Sequence, residues 1–254
     1  MSDAQERFLA WERAWKQRVC DQVTPFSHGD VFKSQRYPDY WSFNCIQLAR
    51  PMAAQEMIDA ADRELADCRH RFAEWMVPMP DEVGAELAGR GWIVTPLVYM
   101  LHDGRELDEG DEELAEVDYG AVRHLREAWH REDFDDGVIT EAFYTQAREV
   151  AERADVRVIA ALRDERPIGF AQVQTHDDGS EVAEVYVHPE HRGGGFGGAL
   201  TTRGIAVGAA AASDVWICAA RDKRPRELYK RLGFNVVLET AVAMLPPGSR
   251  ALAG

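Results

Sequence analysis

Apolar positions recur at helical spacing from the start of the chain. Phe8, Trp11, Trp15 and Val19 fall on one stripe of MSDAQERFLAWERAWKQRVC, which predicts an amphipathic helix covering a hydrophobic surface. YWSFNCIQLA (40–49) is apolar enough for a strand, and PMAAQEMIDAADREL (51–65) returns to helical spacing with Pro51 near its first turn. CRHRFAEWM then reads as a strand, PDEVGAELAGRG as a short helix ending in glycine, and WIVTPLVYMLH as an extended β-branched and aromatic stretch. DGRELDEGDEE (103–113) has almost no apolar residue and marks a linker. Two domains are therefore expected, 1–105 and 113–254.

The second half alternates more regularly. VDYGAVRHLREAW puts Val122, Leu125 and Trp129 on one helical face, and Thr140 can cap a further helix through Phe143, Ala147 and Val150. VRVIAAL and IGFAQVQTH flank the turn RDER as a hairpin, DDGS makes the next turn, and EVAEVYV forms a third strand. An Ala-rich helix to Ala212, the strand VWICAA, the helix RPRELYKRL and closing strands through Met244 complete the pattern. An internal echo links the halves. Gly91-Trp92-Ile93-Val94 and Gly233-Phe234-Asn235-Val236 each follow a short helix and end a segment, at an offset of 233 − 91 = 142 positions. The echo predicts that each half is one copy of a related unit.

Composition narrows the function. A net charge of −15 leaves no general basic face for nucleic acid, and no apolar run approaches membrane-spanning length. Cys20, Cys45, Cys68 and Cys218 form no CxxC pair, so neither a zinc knuckle nor a disulfide framework is suggested. With no signal-peptide core at the N-terminus, the expected location is the cytoplasm. His188 and His191 lack a third ligand nearby and read as surface histidines, so no metal is expected.

The densest chemistry lies in HPEHRGGGFGGAL (188–200), which holds five of the chain's 20 glycines between a strand and a helix. Gly193, Gly195 and Gly198 formally satisfy the dinucleotide pattern GxGxxG. The 56 residues after Gly198 are too few for the rest of a doubly wound sheet, which argues against a nicotinamide-dependent oxidoreductase. Arg192, Gly195 and Gly197 instead give R-x-x-G-x-G, whose backbone N–H groups can converge on a pyrophosphate at a helix N-terminus. Val185-Tyr186-Val187-His188-Pro189 precedes the arginine, and Glu227-Leu228-Tyr229-Lys230-Arg231-Leu232-Gly233-Phe234 follows it. Over residues 113 to 246 this combination resembles the GNAT superfamily of N-acetyltransferases, with their V-x-P-x-x-R-x-x-G-x-G and LYxxLGF motifs.

The resemblance implies a GNAT fold, an α/β (α+β) arrangement of mixed, mostly antiparallel sheet flanked by helices, in two tandem units. It implies acetyl-CoA as acyl donor, with the pyrophosphate on Arg192, Gly193, Gly194, Gly195, Phe196, Gly197 and Gly198. Val185, Tyr186 and Val187 would meet the pantetheine arm through backbone groups, and an N–H of the same strand would polarise the thioester carbonyl. Tyr229 would protonate the departing thiolate, or else only pack its helix on the sheet. Glu181 and Glu184 are the candidate general bases. Three positions apart, they should face opposite sides of a regular strand unless a bulge intervenes.

Two departures qualify the resemblance. Many members carry an asparagine and an alanine where Asp222 and Pro225 stand here. The N-terminal half has Leu48-Ala49-Arg50-Pro51-Met52 where a glycine loop would fall, so it is expected to keep the fold without a pyrophosphate site. The implied acceptor is a small primary amine; a non-catalytic acetyl-CoA-binding or regulatory module is the alternative. Arg131-Glu132-Asp133-Phe134-Asp135-Asp136 joins two helices and holds four carboxylates around one aromatic, which would suit a cationic amine or serve only as a solvated loop. Oligomeric state leaves no sequence signal.

Overall fold

The computed structural model of the protein describes residues 2–108, 113–134 and 138–248. Helix α1 (Asp3–Val19) starts on a reciprocal cap. The Ser2 hydroxyl accepts from the Gln5 amide at 3.3 Å, and the Gln5 side chain accepts from the Ser2 amide at 2.8 Å. The expected stripe of Phe8, Trp11, Trp15 and Val19 is buried. A hairpin follows, β1 (Gln22–Phe26) and β2 (Gly29–Lys33), which the apolar pattern had not signalled because most of β1 is exposed.

The stretch 40–49 is not one strand. Trp41–Phe43 form a 3₁₀ turn and β3 covers only Cys45–Leu48. Asn44 imposes the break: its Nδ2 donates to the carbonyls of Tyr37 and Tyr40 at 2.8 and 3.1 Å, and its Oδ1 accepts from the Ser34 amide at 3.0 Å. Buried polar groups of this kind must be satisfied, and here their partners dictate a turn. Helix α2 (Ala54–Glu64), strand β4 (Arg71–Trp75), helix α3 (Asp81–Gly89) and strand β5 (Ile93–His102) follow in the expected order.

Strand β6 (Leu114–Val117) leads through a 3₁₀ turn at Tyr119–Val122 into α4 (Arg123–Asp133). Helix α5 (Glu141–Arg153) is capped as expected, the Thr140 hydroxyl accepting from the Phe143 amide at 3.2 Å. Strands β7 (Arg157–Arg163), β8 (Arg166–His176) and β9 (Gly179–Val187) form an antiparallel run. The RDER turn places Asp164 and Glu165 at φ 51° and 62°, the left-handed pair that a tight hairpin requires. Helix α6 (Phe196–Ala209), strand β10 (Asp214–Ala220), helix α7 (Pro225–Arg231) and one closing strand, β11 (Phe234–Leu245), complete the chain.

The chain folds into two compact units. The first comprises Met1–Tyr99, Ala220–Asp222 and Val237–Gly254, and the second Met100–Ala219 and Lys223–Val236. In the first, strands run in the order β1-β2-β3-β4-β11, all antiparallel except β3 with β4. In the second they run β10-β9-β8-β7-β6, all antiparallel except β10 with β9. Along the sequence, each half thus has an antiparallel run, a helical crossover to a parallel strand, a short helix, a left-handed glycine and a long strand. The two glycines are Gly91 and Gly233, at φ 86° and 94°, the anchors of the sequence echo. The fold is α/β, of mixed, mostly antiparallel sheet flanked by helices.

Ile46, Leu48, Met57, Trp75, Leu87 and Ala243 belong to the core of the first unit. Val122, Leu125, Val158, Phe170 and Tyr186 form a core under α4 in the second. Helix α6 lies so close to β9 that a Cβ on Gly204 would come within 2.8 Å of Val182 Cγ1. Only glycine permits that approach.

Candidate active site

Strand β9 delivers the chain into the glycine loop, and α6 begins on its far side. Gly195 caps α6 at φ 88° and Gly193 turns the loop at φ 86°, both left-handed. The ends of the expected amide row are already used within the loop. Arg192 N–H donates to the Pro189 carbonyl at 3.2 Å, and Gly198 N–H to the Gly195 carbonyl at 2.8 Å. The amides of Gly193, Gly194, Gly195, Phe196 and Gly197 donate to no acceptor among the described residues. They stand at the N-terminus of a 14-residue helix, where unpaired N–H groups and the helix dipole both favour an anion. A pyrophosphate fits this donor set.

The arginine of the motif turns away from the amides. Arg192 Nε donates to the Val187 carbonyl at 2.9 Å, and its Nη2 donates to both Glu132 oxygens at 2.9 Å. Its guanidinium also lies over the Tyr186 ring, 5.5 Å from the centroid. Tyr186 donates its hydroxyl to Glu132 at 2.6 Å and stacks on Trp129. Burial, reinforced by the Glu132 carboxylate, pushes the Tyr186 phenol well above its ordinary range. Glu132, at the end of α4, therefore fixes the loop through Arg192.

Strand β9 is not regular. Gln172 of β8 faces Ala183, while Phe170 faces Tyr186, so Glu184 and Val185 together oppose the single residue Ala171. Glu184 sits at φ 53°, in the left-handed region. This is a β-bulge, which interrupts the ladder and re-aims side chains. It brings together the two glutamates that a regular strand would have separated. Gln174 Nε2 donates to Glu181 and Gln172 Nε2 to Glu184, and these glutamines, two apart on β8, share a face.

Glu184 also pairs with Arg126 of α4, whose side chain is buried and whose guanidinium lies over the Tyr119 ring at 5.1 Å. Arg126, Gln172 and Gln174 were not singled out in the sequence, and Glu132 was read only as one of the carboxylates of the acidic stretch, not as the partner of Arg192. The glutamines left a faint signal as two amides on one face of an otherwise apolar strand. Arg126, beside Leu125 on a polar-looking helix, left none.

Tyr229 stands on α7, buried, with its ring 6.2 Å from that of Phe234. Burial, with the Cys218 thiol nearby, raises its phenol well above the ordinary tyrosine range, so it keeps its proton at neutral pH. Pro225 is the first residue of α7, a position that needs no N–H donor. His188 lies near Glu190 and His191 near Arg163, and the two rings are 6.1 Å apart. Of the acidic stretch at the end of α4, Asp135 and Asp136 lie outside the described residues. Asp133 is exposed at the end of α4, and local desolvation with the neighbouring Glu132 raises its carboxyl above the usual range. In the first unit, β3 pairs regularly with β2 and β4, and the junction to α2 contains no glycine. Among the described residues no helix is long and apolar enough to cross a membrane.

Residues 154–236 match the model of an acetyltransferase (GNAT) domain. No curated protein matches the chain. Solved structures share its fold at low identity. A functionally unknown conserved protein from Staphylococcus epidermidis is 12% identical with a TM-score of 0.65, over 89% of this chain and 93% of that one. A GCN5-related N-acetyltransferase from Kribbella flavida is 17% identical with a TM-score of 0.57, over 99% and 98%. Another from Sphaerobacter thermophilus is 13% identical with a TM-score of 0.50, over 77% and 68%. Glycine loop, bulged strand, family match and fold converge: residues 154–236 are a GNAT acetyltransferase domain, and the chain carries the fold of GNAT proteins along nearly its whole length.

Proposed function

We propose that the second unit binds acetyl-CoA and transfers its acetyl group to a small primary amine by direct attack on the thioester. The observation that carries this reading is the row of unpaired amides from Gly193 to Gly197 at the head of α6, directly after the bulged strand β9. Those amides would hold the pyrophosphate, and the backbone of Val185, Tyr186 and Val187 would align the pantetheine arm. Acetyl-CoA, when bound, supplies an activated acyl thioester. An N–H freed by the bulge would polarise its carbonyl.

Glu181 and Glu184 are the two candidate general bases. Glu184 pairs with Arg126 and Gln172 and steadies the bulge, while Glu181 accepts from Gln174. One of these glutamates would take a proton from the amine, directly or through water, and Tyr229 would give one to the departing thiolate. The acidic end of α4 would attract a cationic acceptor. The first unit, which retains the strand and helix order without a glycine loop, would be a degenerate copy with no coenzyme site.

The test is thiol release from acetyl-CoA with a panel of small amines. Amine-dependent release by the wild-type protein supports the reading. Tight coenzyme binding without release under any amine would assign the chain to a binding or regulatory role instead.

A further inference from the structure

The glycine loop leaves one question of charge. Coenzyme A carries two anionic groups, the pyrophosphate and the 3′-phosphate of its ribose. The amides of Gly193 to Gly197 suit the first, while Arg192 is spent on Glu132 and the Val187 carbonyl. A second cation stands at the same loop. Arg163, the last residue of β7, places its guanidinium 5.8 Å from the centroid of Phe196, the aromatic set among the glycines. Its Nη1 lies 3.4 Å from His191 Nδ1, on the other flank of the loop. Among the described residues no carboxylate pairs with Arg163, in a chain of net charge −15 where Arg123, Arg126, Arg157 and Arg192 all have acidic partners.

The hairpin adds a second observation. Arg163 is directly opposite Arg166 across the β7–β8 ladder. Like charges facing one another across strands are destabilising, and an anion between or beside them relieves the repulsion. The intervening turn residues, Asp164 and Glu165, form no ion pair with either arginine among the described residues. Strand β8 begins beside the end of β9, with His188 N–H donating to the Ile168 carbonyl at 2.9 Å. The arginine pair therefore sits at the end of the sheet that carries the loop.

We propose that Arg163, supported by Arg166, binds the 3′-phosphate of coenzyme A and makes the protein select coenzyme A over its 3′-dephospho form. The contacts of Arg163 with Phe196 and His191, neither of them a carboxylate, leave its guanidinium charge and fork available for a phosphate. The proposal rests on the acetyl-CoA reading above, and its test separates the two. Calorimetric titration of the wild-type protein and of Arg163→Met with coenzyme A and with 3′-dephospho-coenzyme A gives four dissociation constants. Wild type should bind coenzyme A about tenfold more tightly than the dephospho form, with the preference shrinking at high salt. In Arg163→Met that preference should fall to within about twofold, with the dephospho constant unchanged. Equal wild-type affinities would overturn the 3′-phosphate assignment while leaving the acetyl-CoA reading in place. So would an equal loss of both ligands in a variant with unchanged thermal melting, because Arg163 would then serve the pyrophosphate. Failure of wild type to bind either coenzyme would overturn both.

Discussion

In the first unit β3 reaches α2 through Ala49-Arg50-Pro51-Met52-Ala53, and in the second β9 reaches α6 through His188 to Gly195. Both junctions connect a strand to a helix that crosses over to a parallel neighbour, and both units bury full cores around them. The junctions differ in how much backbone energy each stores. The second holds two left-handed glycines, a left-handed glutamate at the bulge and a row of amides without acceptors. Each such feature costs free energy that the fold itself does not recover. The first has no left-handed residue and no bulge: β3 is regular and fully buried, and the Ala49 amide donates to the His28 carbonyl at 2.8 Å. Hydrophobic packing is thus enough to keep the fold, and the departures from regular backbone mark where a ligand is expected.

Removing one of those departures gives the largest predicted effect. Gly195→Val places a β-branched side chain at φ 88°, in the left-handed region, beside the row of free amides. Coenzyme A binding should fall below detection by calorimetry. The strain at this exposed position should lower stability by only about 1–2 kcal/mol. A melting curve close to wild type with undamaged affinity would mean that the loop is not the coenzyme site.

Tyr229→Phe tests the chemistry on the same unit. The buried ring keeps its packing against Phe234 while the proton is lost. Turnover should fall by about 10²-fold with coenzyme affinity little changed. Wild-type turnover would reduce Tyr229 to a packing residue.

Acid stability compares the units more directly, because each contains a histidine whose pKa burial lowers to about 4. In the first unit His70 Nε2 donates to the Asn44 carbonyl at 3.0 Å, and its Nδ1 is buried without a partner among the described residues. In the second, His130 stacks on Trp129 and meets the Tyr144 hydroxyl at 3.0 Å, with Arg126 adding to the burial effect. A folded pKa below the unfolded value of about 6.5 means that the unfolded chain binds the proton first. Stability from each group is therefore complete above about pH 6.5 and is lost as the pH falls toward 4. Denaturant melts from pH 7 to 4 should show a loss on the order of a few kcal/mol. His130→Gln and His70→Gln should each remove part of the slope; an unchanged slope in both would place the acid sensitivity elsewhere.

The same contrast explains what could be read from the sequence. Cores and helix faces write themselves as periodic apolar positions, so α1, α2, α4 to α6 and the β7–β8–β9 run were legible. The glycine loop was legible because glycine is chosen for its backbone. Hidden features were those set by single polar side chains or by non-local pairing. Asn44 converts an apolar stretch into a turn through three hydrogen bonds, and nothing in YWSFNCIQLA announces it. The bulge at Glu184 depends on its register with β8, so the relation of Glu181 to Glu184 could not be fixed from spacing. The pairing of Arg192 with Glu132 spans 60 positions and redirects an arginine that the motif alone assigns to the coenzyme.

The smallest expected effect is the most specific test of the comparison. Arg50 and Pro51, both exposed, occupy the first unit's junction where the second has glycines. Arg50→Gly with Pro51→Gly should reduce stability by about 1 kcal/mol through the added freedom of the unfolded chain. It should leave coenzyme affinity within about twofold of wild type and the stoichiometry at one per chain. Backbone freedom alone cannot install a pyrophosphate site there. The Ala49 amide is already engaged, β3 has no bulge to part it from its neighbours, and Glu56 puts a carboxylate in the first turn of α2 where a phosphate would need to sit. Two coenzyme equivalents bound per chain, in the variant or in wild type, would show that the first junction binds the coenzyme after all and would break the comparison at its root.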